Sequence, residues 1–312
     1  MHSPAAGQST DDAAEGLPLD QATGYRTRLF AIGRFLLFVV IMGTFLVAAR
    51  LLLTRLPHVG ALLKAADSGQ LAPSLIWIVD SIGFLAVLLY CAVAGRVEQR
   101  SAGAYGLSTR GPFAKLCVQG VVWGLALAFL DIAITWLLGG YTFGRVALAP
   151  NDVIRYGLAW GGAFFLVGLF EESLYRGYSL YTLSLGIGFW PAATLLALLF
   201  AGLHLTNAGE SVIGVIDVAI YALFASLTLR RTGNLWFAVG IHAAWDFSLT
   251  FLYSVPGSGL NARGVLLHST MHGKAWLTGG SAGPEGSAIG LGVLLLALAV
   301  FSRAMPQRTQ LF

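Results

Sequence analysis

The chain has 312 residues, of which 56% are hydrophobic and 11% charged, with 19 Lys and Arg against 15 Asp and Glu. A soluble globular domain carries about 25% charged residues, so a mean hydropathy of +0.74 excludes an ordinary soluble enzyme and points to a polytopic membrane protein. The formal charge of +4 is small and the arginines sit mostly in short loops, which excludes a nucleic-acid surface built from basic tracts interleaved with aromatics.

Residues 1–28 are rich in Ala, Gly, Ser and Asp and lack hydrophobic periodicity, so a disordered cytoplasmic tail is expected. The first apolar run begins near Leu29 and, at about 25 residues, is too long for a cleaved signal; it reads as the first anchor. Windows of about 20 apolar residues, the length that crosses a hydrocarbon core of ~30 Å, then recur along the chain. They place spans at 29–53, 74–95, 114–138, 153–175, 190–206, 211–229, 234–253 and 286–304, with the fourth able to run on toward Leu185. The expected fold is all-α, a polytopic integral membrane helical bundle of about eight transmembrane helices. It forms one domain over 29–306, with a site-bearing core at 153–253.

Gly186 to Pro191 and Arg230 to Asn234 read as turns, and Trp77, Trp190 and Trp236 sit near span ends as an interfacial belt. No internal repeat is visible. Cys91 and Cys117 each lie in an apolar run and read as small buried hydrophobes rather than a disulfide or metal pair. Arginines cluster before span one and after spans two (Arg96, Arg100, Arg110), six (Arg230, Arg231) and eight (Arg303, Arg308). By the positive-inside rule both termini are cytoplasmic, in what is expected to be a bacterial inner membrane.

Two adjacent carboxylates, Glu171 and Glu172, follow the uncharged run from Leu158 to Phe170 and precede Arg176 and Gly177. A charge at bilayer depth costs roughly 2.5–3.5 kcal/mol on insertion scales, so the pair marks a candidate site. At about 100° per residue, Glu172 and Arg176 share a helix face, whereas Glu171 and Arg176 point about 140° apart. Glu172 is therefore expected to pair with Arg176, leaving Glu171 unpaired and turned toward Val167, Leu174 and Tyr175. Such a carboxylate suits a general base or proton shuttle; a structural Glu–Arg clamp is the plainer alternative.

His204 closes an otherwise apolar span one turn after Phe200, and Gly202 is expected to admit a neighbouring helix. A lone His there is most often a satisfied core residue. His242 and Asp246, four apart, project from one side of the seventh span, either as a functional pair or as a hydrogen bond gluing helices. Arg34, Asp80, Asp131 and Asp217 are isolated in their spans and are read as interior hydrogen bonds or snorkelling ends, outside the site. Glu171, Glu172, Arg176, His204, His242 and Asp246 come from just three spans, and their convergence would make a polar cavity able to activate water.

Glu171-Glu172-xxx-Arg176, Phe200-xxx-His204 and His242-xxx-Asp246, in this order over about 153–253, resemble the three motifs of the CPBP intramembrane proteases, the CAAX-protease and bacteriocin-processing (Abi) group. The resemblance implies an endopeptidase that hydrolyses a peptide bond near the membrane. Glu171 would be the base, His204 its partner on the water, Glu172 and Arg176 its braces, and His242 with Asp246 the oxyanion side. Asp246 stands where the best-understood members have Asn, and an ionised Asp there would repel an oxyanion. The resemblance favours a metal-free, glutamate-dependent reaction. A divalent metal such as zinc on Glu171, His204, His242 and Asp246 is the alternative, since two His and a Glu match the ligand number of a catalytic zinc site. The implied partners are membrane lipid and a peptide or membrane-anchored protein substrate, with no nucleic acid; the oligomeric state stays open. Two other readings compete. One is a proton-coupled transporter, which the concentration of polar residues in one half of the chain disfavours; the other is a non-catalytic immunity or scaffold protein of the same fold.

Overall fold

The structure, a computed structural model, describes residues 19–305. Eleven helices follow in chain order among these residues: α1 (Leu19–Leu53), α2 (Pro57–Asp67), α3 (Pro73–Val97), α4 (Phe113–Leu137), α5 (Pro150–Glu172), α6 (Ser179–Ile187), α7 (Phe189–His204), α8 (Val212–Thr232), α9 (Trp236–Phe247), α10 (Ala275–Thr278) and α11 (Ala288–Ala304). Each of the eight expected spans has a helical counterpart. Five stretches are long and apolar enough to cross a membrane: Arg26–Leu53, Pro73–Val97, Phe113–Leu137, Pro150–Ile187 and Val212–Thr232. α7 and α11 are apolar but shorter. Large apolar side chains such as Phe30, Val40, Leu89, Phe129 and Leu158 stand exposed around the bundle, the arrangement of a helical membrane protein whose outer surface meets lipid.

Three features depart from what the sequence led us to expect. The expected tail lies outside the described residues up to residue 18, and from Leu19 onward the chain is helical, continuous with the first span. Between spans one and two an extra helix, α2, starts at Pro57, where proline at the first turn costs no hydrogen bond. The fourth span runs on past the Glu pair, as the sequence allowed, to 38 residues, Pro150–Ile187, but a π-helical segment at Ser173–Tyr178, in which Gly177 leaves helical geometry (φ −79°, ψ −119°), interrupts it. A second π-helical segment, Ser248–Leu252, follows α9 directly. Ser173 and Ser248 each donate a side-chain hydrogen bond to the carbonyl four residues back, of Leu169 and Ala244. This back-bonding is a known means of bending a helix.

The tightest contact in the bundle joins α4 to α9. A Cβ at Gly120 would lie 2.2 Å from the Phe237 carbonyl oxygen, one at Gly124 2.5 Å from that of Ile241, and one at Gly240 2.3 Å from that of Cys117. Glycines on both helices thus let the backbones touch, which is how helices associate where lipid removes the hydrophobic drive. The position expected to do this, Gly202, makes no such approach: a Cβ there would meet no heavy atom of a neighbouring element within 4 Å.

At one end of the bundle the arginine-bearing loops meet. Arg231 donates to the Met305 carbonyl, Arg230 lies over the Phe189 and Trp190 rings, and Asn234 and Trp236 both donate to the Ser108 carbonyl. At the other end the segment 253–287 is laced to the remaining loops. β1 (Gln70–Leu71) pairs with β3 (Asn261–Ala262), β2 (Tyr141–Thr142) pairs with β4 (Thr270–Met271), and Asn207 donates to the Ser258 carbonyl.

Candidate active site

Glu171 and Glu172 occupy the end of α5, just before the π-helical segment that carries Arg176. Glu172 is fully buried and Arg176 nearly so, and their charged groups stand 3.6 Å apart. The shared face expected from their spacing is present, but at that separation neither terminal nitrogen of Arg176 has a hydrogen-bond acceptor among the described residues. The guanidinium instead lies over the Phe200 ring, 4.6 Å from its centroid, and 5.7 Å from that of Tyr175. A desolvated cation over an aromatic face gains on the order of 2 kcal/mol, which complements the ion pair.

Glu172 has two further partners. His242 Nδ1 is 2.9 Å from its Oε1, and the Tyr221 hydroxyl donates to the same oxygen at 3.3 Å. Because a carboxylate accepts, Nδ1 of His242 carries the proton, and Nε2 is the nitrogen turned to the site. Nε2 lies 3.6 Å from Glu171 Oε2 and 3.5 Å from Asp246 Oδ2. Glu171 is therefore not without a charged neighbour, as a straight helix would leave it: α9 brings His242 to it. Val167 and Tyr175 share its cavity, whereas Leu174 is diverted by the π-helical turn into the cluster around Tyr178.

His204 ends α7. Its Nδ1 lies 2.9 Å from the Phe200 carbonyl oxygen, and its ring packs against the Phe200 ring at 4.6 Å between centroids. A carbonyl only accepts, so here too Nδ1–H is the donor and Nε2 remains the basic nitrogen. Phe200 thus positions His204 through its backbone and Arg176 through its ring.

Glu171, His204, His242 and Asp246 line one cavity of about 390 Å³ between α5, α7, α8 and α9. That volume lies within the range of small-ligand sites. Glu172 and Arg176 sit behind its wall. Asp80 and Asp217, which their spacing had placed outside the site, also line it, as do Tyr221 and Glu285. Their signal was the cost of a carboxylate in an apolar helix, but their neighbours come from distant segments and leave no spacing pattern. Asp131 stays outside the cavity wall, where Thr135 donates to it at 3.4 Å, and Arg34 pairs with Glu98 at 2.8 Å. Cys91 and Cys117 are free thiols. Among the described residues no group of three or more His, Cys, Asp or Glu stands close enough together to hold a metal ion.

The arrangement offers a carboxylate and an imidazole facing one enclosed space, with a second imidazole held by a buried carboxylate. Residues 154–248, which contain every one of these motif residues, match the family model of the Rce1-like Type II CAAX prenyl endopeptidases. No curated protein and no solved structure matches the chain. The helices that build the cavity thus carry an Rce1-like CAAX endopeptidase domain at 154–248, consistent with the CAAX-protease (CPBP) family of intramembrane endopeptidases.

Proposed function

We propose that the protein hydrolyses a peptide bond within its intramembrane cavity, with Glu171 as general base and His204 as its partner on the attacking water. The observation that carries this reading is that Glu171, His204, His242 and Asp246, from three separate helices, line the same cavity. Water held between Glu171 and Nε2 of His204 gives its proton to Glu171, and the hydroxide attacks the carbonyl carbon of the scissile bond. The carbonyl oxygen becomes an oxyanion, for which the donor is Nε2–H of His242 in its doubly protonated form, with Nδ1–H kept on Glu172 and the cation flanked by Glu171 and Asp246. As the tetrahedral intermediate collapses, Glu171 returns its proton to the departing amine, so base and acid are one residue acting in sequence. Glu172 fixes the His242 ring through Nδ1, Arg176 offsets the buried charge of Glu172, and Asp246 orients Nε2 of His242 from the next turn. No step requires a metal.

The test is turnover of a quenched fluorescent peptide by the purified full-length protein in nanodiscs, with metal content determined on the same preparation. Glu171→Gln and His204→Ala are expected to lower kcat by at least about a hundredfold, the scale of general acid–base assistance. A chelator is expected to leave the rate unchanged. Undiminished turnover in Glu171→Gln would rule out the base, and activity that is lost on chelation and restored by zinc would replace the metal-free reaction.

A further inference from the structure

The polar wall of the cavity is one-sided in composition. It holds five carboxyl groups, Asp80, Glu171, Asp217, Asp246 and Glu285, and two imidazoles, but no lysine or arginine. A cationic donor entering it meets several oxygen acceptors.

Two of the carboxyl groups come from elements other than α5, α7 and α9, which carry the motif residues. Asp217, on the second turn of α8, is 5% exposed, and its Oδ1 has no hydrogen-bond donor among the described residues. A buried acceptor left unsatisfied costs about 1–3 kcal/mol, and native structures rarely leave one facing a cavity unless something else fills the role. Glu285, on the turn Pro284–Gly286 that packs against α8, lines the same cavity. Unlike Asp217 it is fixed: Trp245 Nε1 donates to its Oε1 at 2.7 Å, and the Ser258 hydroxyl to its Oε2 at 2.8 Å. One carboxylate is thus held in place and the other is left open toward the same space. Val218 and Leu294 line that space too and give an apolar path for a methylene stem.

We infer that Asp217 and Glu285 form a subsite for the cationic side chain, lysine or arginine, of the peptide that the cavity cleaves. This rests on the proteolytic reading above and names its substrate class: an apolar segment carrying a basic residue near the scissile bond.

The experiment uses apolar decapeptides capped at both ends, with a single lysine walked along the sequence, and the same set with norleucine in its place. Cleavage is measured with the full-length protein in nanodiscs, and equilibrium binding with its Glu171→Gln variant, which isolates recognition from turnover. At one register the lysine peptide is expected to exceed its norleucine counterpart by about tenfold, in kcat/KM and in affinity, equivalent to ~1.4 kcal/mol. Asp217→Asn is expected to bring that ratio close to one through KM, with Asp217→Glu restoring part of it. Glu285→Gln is the second variant, read in the same way should Asp217→Asn fail to fold. A lysine preference absent from binding, or intact in both neutral variants, overturns the subsite. If no peptide is cleaved while lysine binding still depends on Asp217, the proteolytic reading fails and the subsite stands.

Discussion

His242 and Glu172 are joined by a hydrogen bond of 2.9 Å that ties α9 to the end of α5 beneath the cavity. Glu172 is the buried centre of that contact, serving His242, Tyr221 and the Arg176 charge with one oxygen. Breaking a buried charge network by removing one member costs about 3–5 kcal/mol, because the partner is left uncompensated. Glu172→Gln is therefore expected to lower stability by that amount and to lower activity as His242 loses its orientation. The double variant Glu172→Gln, Arg176→Met is expected to regain much of the stability but none of the activity. Thermal unfolding in detergent alongside peptide turnover would separate the two effects; activity returning with stability would show that Glu172 serves the fold alone.

Phe200 makes a different prediction, since its ring carries Arg176 and packs on His204. Phe200→Ala is expected to destabilise by about 3–5 kcal/mol as a buried aromatic is lost. Phe200→Leu fills most of the volume without offering a π face, so it is expected to fold while losing the cation–π contact, a cost of about 2 kcal/mol. The backbone carbonyl that holds His204 is kept in both. Turnover surviving in Phe200→Leu would show that the carbonyl, rather than the ring, positions His204.

The contact of α4 with α9 is a lever on the site from a distance. At Gly124 any Cβ meets the Ile241 carbonyl and the Trp245 amide, backbone atoms that cannot yield by changing a rotamer. Gly124→Val is therefore expected to cost more than the ~1–3 kcal/mol of ordinary overpacking and to shift α9 with His242 and Asp246. Gly202→Ala, in open space on α7, is the control and is expected to leave the melting temperature in place. Equal effects of the two substitutions would show that α4 and α9 are not in backbone contact.

The contrast between these glycines shows what the sequence carries and what it does not. Glu171, Glu172, His204, His242 and Asp246 stood out because each is costly inside an apolar run, and Glu172 with Arg176 and His242 with Asp246 because each pair stands at helical spacing. Asp217 was equally costly, but Glu285, which lines the cavity with it, comes from a turn far along the chain where a carboxylate is ordinary in composition. The eight apolar windows were legible because lipid demands length and apolarity. The π-helical turns after Glu172 and Phe247 were not, because they change hydrogen-bond register without changing hydropathy, and they turn Leu174 away from the face a straight helix would give it. Gly202 and Gly124 look alike in sequence, and only the neighbouring backbone distinguishes them.

The cavity wall draws its loop residues from one end of the bundle. Asn207, Gly257, Ser258 and Leu260, all at the end opposite the arginine-bearing loops, belong to its wall. If the arginines hold their end in the cytoplasm, substrate enters from the far side of the membrane. Asn261→Cys, exposed beside that wall, and Ser101→Cys, exposed in the loop between α3 and α4, report the two ends in a background with Cys91 and Cys117 replaced. A membrane-impermeant maleimide is expected to label Asn261→Cys in intact cells and Ser101→Cys only after permeabilisation. The reverse pattern would place the cavity mouth in the cytoplasm, and the basic segment that we assign to Asp217 and Glu285 would then have to be presented from the inner face.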